Sequence, residues 1–373
     1  MARYRAYLWA APLLLISVLL VAMAFVSGPI QAKSGGFYRQ TNLVSDIPGL
    51  ARFTDRNLVN PWGLSHSPTS PWWVSDNGKG VSTLYKGDGT AVPLVVTIPP
   101  PGGSPAGTTS APTGNVFNGT SDFVVTGPNG SGPSLFIFAT EDGTISGWNP
   151  NADPTNAIIG VDNSSSGAVY KGLAIGSNSL GNFIYATNFN AGVVEMYDAQ
   201  FKLAGSFTDS SLSTDCPLRN QCFAPFGIQN INGSLYVTFA LQNAEKHDDV
   251  AGPGNGFVDV FDTSGNLLQR LVSHGQLNSP WGLALAPNGF GRFGKDLLVG
   301  NFGDGHINAY EIDTGSFRGQ PKDQRGNPIT INGLWALGFG NGGSAGPTDT
   351  LFFTAGINDE ADGLFGSITK GEG

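Results

Sequence analysis

The chain has 373 residues and a formal net charge of −9; charged residues make up 13% of it, about half the ordinary share, while its 54 glycines are about twice the ordinary share. Such a composition excludes helical bundles, coiled coils and doubly wound sheets, which need long segments rich in Ala, Leu, Glu and Lys. An acidic chain with no basic cluster beyond its first residues also excludes nucleic acid as a partner. What remains is a soluble surface of Asn, Ser, Thr and Gly, suited to many short strands joined by tight turns.

At the N-terminus, Arg3 and Arg5 precede an uncharged, largely apolar run from Tyr7 to Val26, and Ala32 offers a small residue at a cleavage point. Residues 1–32 read as a signal peptide cut at Ala32/Lys33, or as an N-terminal anchor, since a run of about 20 apolar residues is long enough to span a bilayer. Either way residues 33–373 are exported, to a secreted, periplasmic or cell-surface location. Membrane contact is expected only if the segment stays uncleaved.

The segment 38–45 reads as a strand with no partner nearby. After it, Asn60-Pro61-Trp62-Gly63-Leu64 opens a phrase that returns as Pro112-Thr113-Gly114, Tyr170-Lys171-Gly172-Leu173, Pro225-Phe226-Gly227-Ile228, Pro280-Trp281-Gly282-Leu283 and Leu334-Trp335-Ala336-Leu337. The markers Gly63, Gly114, Gly172, Gly227, Gly282 and Ala336 stand 51, 58, 55, 55 and 54 residues apart. Behind each marker comes a short apolar run, then a turn and a second run ending in polar residues, as in Trp72 to Asp76 or Leu235 to Thr238. Third runs alternate, as in 257–262, and hairpin turns such as Asp88-Gly89 lead to a fourth. Six units of four strands predict an all-β chain: a six-bladed β-propeller in one domain spanning residues 33–373. The sixth unit lacks a fourth strand after 365–368, so segment 38–45 is expected to pair there, closing the ring and removing two exposed edges. The Pro- and Gly-rich stretch 99–113 falls between blades one and two, not between domains. Trp62, Trp281 and Trp335 are expected to pack between neighbouring blades, with carbohydrate stacking as the alternative. Cys216 and Cys222, six apart in an exported chain, predict a local disulfide; two thiols with no nearby His make a poor zinc set.

The phrases at 58–85, 136–150, 246–262 and 297–311 resemble a family of exported bacterial proteins of uncharacterised function, over roughly residues 37 to 368. That family is similar in fold to six-bladed propellers of the gluconolactonase, paraoxonase and NHL-repeat type. The resemblance implies that the first strand of each blade lines the channel, and that strand-one openings and strand-two ends share one face. Asn60, Lys171 and Asn332 then meet Asp76, Asn77, Glu141, Asp142, Asn188, Asn190, Gln242, Asn301 and Asp304 there. Asp76, Glu141, Asn188, Asn301 and Asp304 offer the oxygen ligands that Ca²⁺ requires, whereas each alone also fits turn chemistry. The related lactonases place a Glu at the start of strand one, and this sequence has none.

A second candidate is the long loop 242–256, where His247 beside Asp248 and Asp249 offers a catalytic His–carboxylate pair, an oxygen-rich metal site, or an Asp-capped loop over the channel. No nucleophile elbow, zinc-protease motif or phosphate-cradling loop occurs. Two functions follow. One is a ligand- or partner-binding module, taking a small molecule, glycan or protein on the channel-mouth face. The other is a calcium-dependent hydrolase of lactonase or esterase type. A monomer is expected.

Overall fold

The computed structural model describes residues 36–212, 216–217 and 221–371; the segment read as a signal peptide, with its cut at Ala32/Lys33, lies outside the described residues. Alternating runs between Gly and Asx turns form six four-stranded antiparallel sheets arranged as the blades of a propeller. Their innermost strands are Pro61–Ser65, Pro112–Phe117, Tyr170–Asn178, Phe223–Ile231, Pro280–Leu285 and Leu334–Phe339, and in blades one to five the remaining strands run outward in chain order. Blade two carries an extra hairpin, Val124–Gly127 with Gly130–Pro133, between its first and second strands. Among the described residues there is no α-helix, and no helix long and apolar enough to cross a membrane.

The sixth blade is completed by the N-terminal strand Tyr38–Ser45, antiparallel to Asp362–Lys370 with Tyr38 opposite Lys370 and Ser45 opposite Leu364. Ser45 Oγ donates to the Gly363 carbonyl at 2.7 Å, and Tyr38 OH reaches into blade five to donate to the Phe290 carbonyl at 2.8 Å. Chain closure thus joins the two ends of the domain, as the unpaired edge in the sequence predicts. A short strand, Phe53–Thr54, adds in parallel outside it.

The marker phrase has a steric origin. First and second strands slip register at the marker, between Pro61 and Leu64, Tyr170 and Leu173, Pro225 and Ile228, and Leu334 and Leu337, which is the signature of a β-bulge. At the five glycine markers the backbone of the next blade's innermost strand comes too close for a side chain. A Cβ on Gly114 would lie 2.5 Å from the Leu173 amide nitrogen, and one on Gly172 would lie 2.9 Å from the Phe226 carbonyl oxygen. Cβ atoms on Gly63, Gly227 and Gly282 would meet the carbonyls of Thr113, Trp281 and Trp335 closer still. The amide freed by the bulge is recovered by a strand-two threonine. The Gly172 amide donates to Thr187 Oγ1 at 2.6 Å, and that hydroxyl donates to the Phe226 carbonyl of the next blade at 2.7 Å. Thr354 repeats the device between Ala336 and the Trp62 carbonyl.

Cys216 and Cys222 are bonded to each other, and thiol labelling of denatured, unreduced protein is expected to find no free thiol. For the channel, overpacking of a close backbone approach costs roughly 1–3 kcal/mol. Gly227→Ala is therefore expected to lower the unfolding free energy by that margin, read as a lower urea midpoint at unchanged slope; an unchanged midpoint would show that the channel has room for the methyl group.

Candidate functional site

The residues just before the six markers are Trp62, Thr113, Lys171, Phe226, Trp281 and Trp335. Trp62 stacks on Trp335 with centroids 3.4 Å apart, and Trp281 meets both edge-on at 6.0 and 5.8 Å. Phe226 of blade four lies 6.0 Å from Trp335 of blade six. Side chains from blades this far apart around the ring can meet only on its axis. The tryptophans therefore plug the channel instead of packing between neighbouring blades. The bulge is the reason: an extra residue breaks the two-residue alternation of the strand and redirects the side chain before the marker.

Lys171 is the single cation in this ring. Its side chain is 2% exposed, and Nζ sits 5.1 Å from the centroid of the Trp62 ring and 5.9 Å from that of Phe189. A buried ammonium is tolerated only when paired. Here Nζ pairs with Glu141 Oε1 and lies 3.5 Å from Asp248 Oδ1. Glu141 Oε2 accepts from Asn77 Nδ2 at 2.9 Å, and Asn77 Oδ1 accepts from Asn60 Nδ2 at 3.3 Å. Asn60 Nδ2 also donates to Glu360 Oε2 at 2.7 Å, and Asn60 Oδ1 accepts from the Trp335 indole at 3.1 Å. One polar network thus crosses blades six, one, two, three and four at the mouth.

The loop 242–256 reaches this network. His247 Nδ1 lies 2.8 Å from Asp248 Oδ1, and both residues are exposed. The Asp248 carboxylate raises the His247 imidazole above its ordinary range, and the imidazole lowers Asp248 below its own. Asp249 does not join the pair. Burial pushes its carboxyl up, and its Oδ2 is enclosed with no hydrogen-bond partner among the described residues.

Of the five residues read as calcium ligands, Asn301 and Asp304 bond each other and each of the five has hydrogen-bond partners of its own. Asp76 is fully buried and accepts from Thr83 Oγ1 at 2.8 Å; burial lifts its carboxyl well above the usual range. Asn188 Oδ1 accepts the amides of Val169 and Ala191, and its Nδ2 donates to Glu195. Asn301 Nδ2 donates to the Gln276 carbonyl at 2.8 Å and to Asp304 Oδ1 at 3.1 Å, and Asp304 also accepts the His306 amide. Only Glu141 joins a group of convergent acidic or imidazole ligand atoms among the described residues, with His247 and Asp248 within 4.8 Å of one another. The other four are engaged by backbone and side-chain partners within their own blades, the turn chemistry that competes with ligation.

Glu360 was not legible as a site residue. Its signal is positional, since it occupies the strand-two to strand-three turn of blade six, but Asn358-Asp359-Glu360 reads as an ordinary turn. In the structure all three residues are left-handed, with φ of 55°, 53° and 65°. Left-handed backbone costs an L-residue roughly 1–2 kcal/mol. Asn60, Lys246 and Ser279, also at this end of the propeller, share it with φ of 46°, 56° and 46°.

Burial holds the Glu360 carboxyl at about 7, above its ordinary 4.5. Below the lower value it is protonated in folded and unfolded chain alike and costs nothing. Above the higher value folding must desolvate a carboxylate, so its contribution becomes unfavourable as pH rises through that window. Glu360→Gln keeps an acceptor for Asn60. It is expected to match wild type near pH 4.5 and to be more stable by roughly 1–3 kcal/mol near pH 8, read by denaturant unfolding at both values. A difference independent of pH would contradict this assignment.

No protein-family model matches the chain. Among solved structures, virginiamycin B lyase from Staphylococcus aureus superposes with a TM-score of 0.50 at 15% identity, covering 89% of this chain and 98% of that one. A streptogramin B lyase gives 0.50 at 13% identity, covering 90% and 98%. At such identities the likeness shows the propeller fold and nothing of the activity. Among curated proteins, the chain is 31% identical over 335 residues to the uncharacterized protein R648 of Acanthamoeba polyphaga mimivirus, covering 88% of this chain and 79% of that one. It is equally identical over 335 residues to the uncharacterized protein L690 of the same virus, covering 88% and 84%. The chain belongs to the family of these mimivirus proteins, R648 and L690.

Proposed function

We propose that the protein is an exported binding propeller that takes a hydroxyl-rich ligand, a glycan, on its channel mouth. The observation that carries this reading is the pairing of Lys171. Its ammonium is already paired with Glu141 and Asp248, which leaves a preorganised polar surface at the mouth. At this end of the propeller, Trp62 Nε1 and Trp281 Nε1 are buried donors with no acceptor among the described residues, and Asn301 Oδ1 is a buried acceptor with no donor among them. Unmet buried polar groups cost stability and mark places where a ligand can restore hydrogen bonds. Strained backbone gathered at the same end supports the reading, since such strain persists where function requires it.

The second reading is a calcium-dependent hydrolase of lactone or ester substrates, favoured by the convergence of Glu141, His247 and Asp248. Ca²⁺ takes six to eight oxygen ligands, and here two of the candidate carboxylates are engaged by Lys171. A bound ion would require Lys171 to swing out of an apolar cage.

A glycan array and a calorimetric calcium titration separate the two. Saturable glycan binding, lost in His247→Ala with Asp248→Asn while the melting temperature holds, is the expected result, with no calcium heat up to millimolar concentrations. Calcium binding accompanied by turnover of lactone or aryl-ester substrates, and abolished by Glu141→Gln, would overturn it in favour of the hydrolase.

A further inference from the structure

At the end of the propeller opposite the mouth, the far ends of all six innermost strands enclose a cavity of about 580 Å³, a volume within the range of small-molecule sites. Beneath it is a neck void of about 30 Å³ bordered by Leu64, Leu173, Ile228, Leu283 and Leu337, with Trp281 of the tryptophan plug at its edge. The cavity thus lies beyond the plug, apart from the charged network of the mouth.

Its wall is polar without being charged. No Asp, Glu, Lys or Arg lines it, although the chain carries a net charge of −9. The polar share comes from Ser65, His66 and the carboxamide residues Asn115, Gln229, Asn230 and Asn232, set among apolar ones such as Leu64, Ile175 and Phe339. Part of that share is committed within the protein. Both ring nitrogens of His66 face carbonyls, those of Ser67 and Phe339, at 2.8 and 2.9 Å. Asn230 Nδ2 donates to the Ile175 carbonyl, and its Oδ1 accepts the Gly233 amide. Asn115 Nδ2 donates to the Trp73 carbonyl at 3.1 Å and to Ser75 Oγ at 3.0 Å. Two oxygens are left over. Asn115 is 6% exposed, and its Oδ1 has no hydrogen-bond partner among the described residues. Ser65 Oγ, on the innermost strand of the neighbouring blade, has none among them either. An enclosed acceptor without a donor costs stability, and it calls for a partner that the protein itself does not supply.

We propose that this cavity is a second binding site, for a compact, neutral, hydroxyl-rich molecule, a polyol or a single sugar unit, whose hydroxyls donate to Asn115 Oδ1 and Ser65 Oγ. Hydroxyls suit such a wall because each can donate to an oxygen and accept from an amide. The carbon skeleton between them packs on the apolar residues. A charged molecule would shed its hydration and meet no counter-charge. A wholly apolar one would strip water from the carboxamides and leave both oxygens unpaired. The site is independent of whatever the mouth binds.

The probes share one carbon ring: myo-inositol, neutral and hydroxylated at every carbon; cyclohexanol, with a single hydroxyl; and myo-inositol monophosphate, an anion. Calorimetry is expected to show wild type binding one myo-inositol saturably and each comparator roughly tenfold or more weakly. Ser65→Ala should weaken inositol binding severalfold, the scale of one hydrogen bond. Its melting temperature should be no lower than that of wild type, because the hydroxyl removed has no partner among the described residues. Ser65→Phe, at a partly exposed strand end, should occupy the cavity and abolish binding; the alanine variant decides the matter if the larger residue disturbs the fold. Absence of saturable inositol binding in wild type, equal affinity for cyclohexanol or the monophosphate, or undiminished binding by Ser65→Ala would each overturn the proposal.

Discussion

The close approach of six innermost strands around one axis governs the rest of this structure. Where neighbouring strands touch, a Cβ would collide with the next blade's backbone, so five of the six markers are glycine. The same crowding forces the bulge, which frees an amide, and a strand-two threonine then bonds that amide and the adjoining blade together. Repetition of one steric problem thus yields both the period of the sequence and the hydrogen bonds that fix blade to blade. Apolar clusters between blades, such as Phe223, Phe239, Phe257 and Phe261 against Tyr185 and Val194, supply burial, but burial alone would not set the spacing of the ring.

The bulge also decides what stands at the centre. It turns the residue before the marker onto the axis, and six such residues form the channel plug. Five are neutral, four of them aromatic; the exception is Lys171. An indole face on one side and a carboxylate on the other make the position tolerable for a cation. The presence of Lys171 then dictates the charge pattern above it, because Glu141 and Asp248 are drawn from two other blades to surround it. Carboxylates that would repel one another in an empty ring are held together by an internal ammonium.

The features legible in the sequence are those with a local cause. The marker glycine, the hairpin turns, the missing fourth strand of blade six and the six-residue cysteine spacing each leave a mark within a few residues, and each corresponds to what the fold displays. The site was legible only as a collection of candidates. Asp304 and Asn188 look as promising in sequence as Glu141, because an Asx or Glu residue before a glycine serves a turn and a ligand equally well. What separates them is whether a residue of another blade lies opposite: Lys171 does so for Glu141, whereas Asn188 meets Glu195 of its own blade, and a pairing between blades spans distances no local pattern encodes. Asp249 was read together with Asp248 because they are adjacent, yet successive side chains point to different surroundings, and only Asp248 meets the imidazole.

The two ends of the channel divide the chemistry between them. The aromatic plug lies near the mouth, so the charged network sits directly on it and gains from reduced screening, while the cavity at the opposite end is lined by no charged side chain. Moving the plug along the axis would expose Lys171 on one side or fill the cavity on the other. The bulge, whose position is fixed by contact between neighbouring backbones, prevents that movement. A constraint whose first consequence is a repeated glycine therefore also determines that this propeller has one charged end and one neutral end.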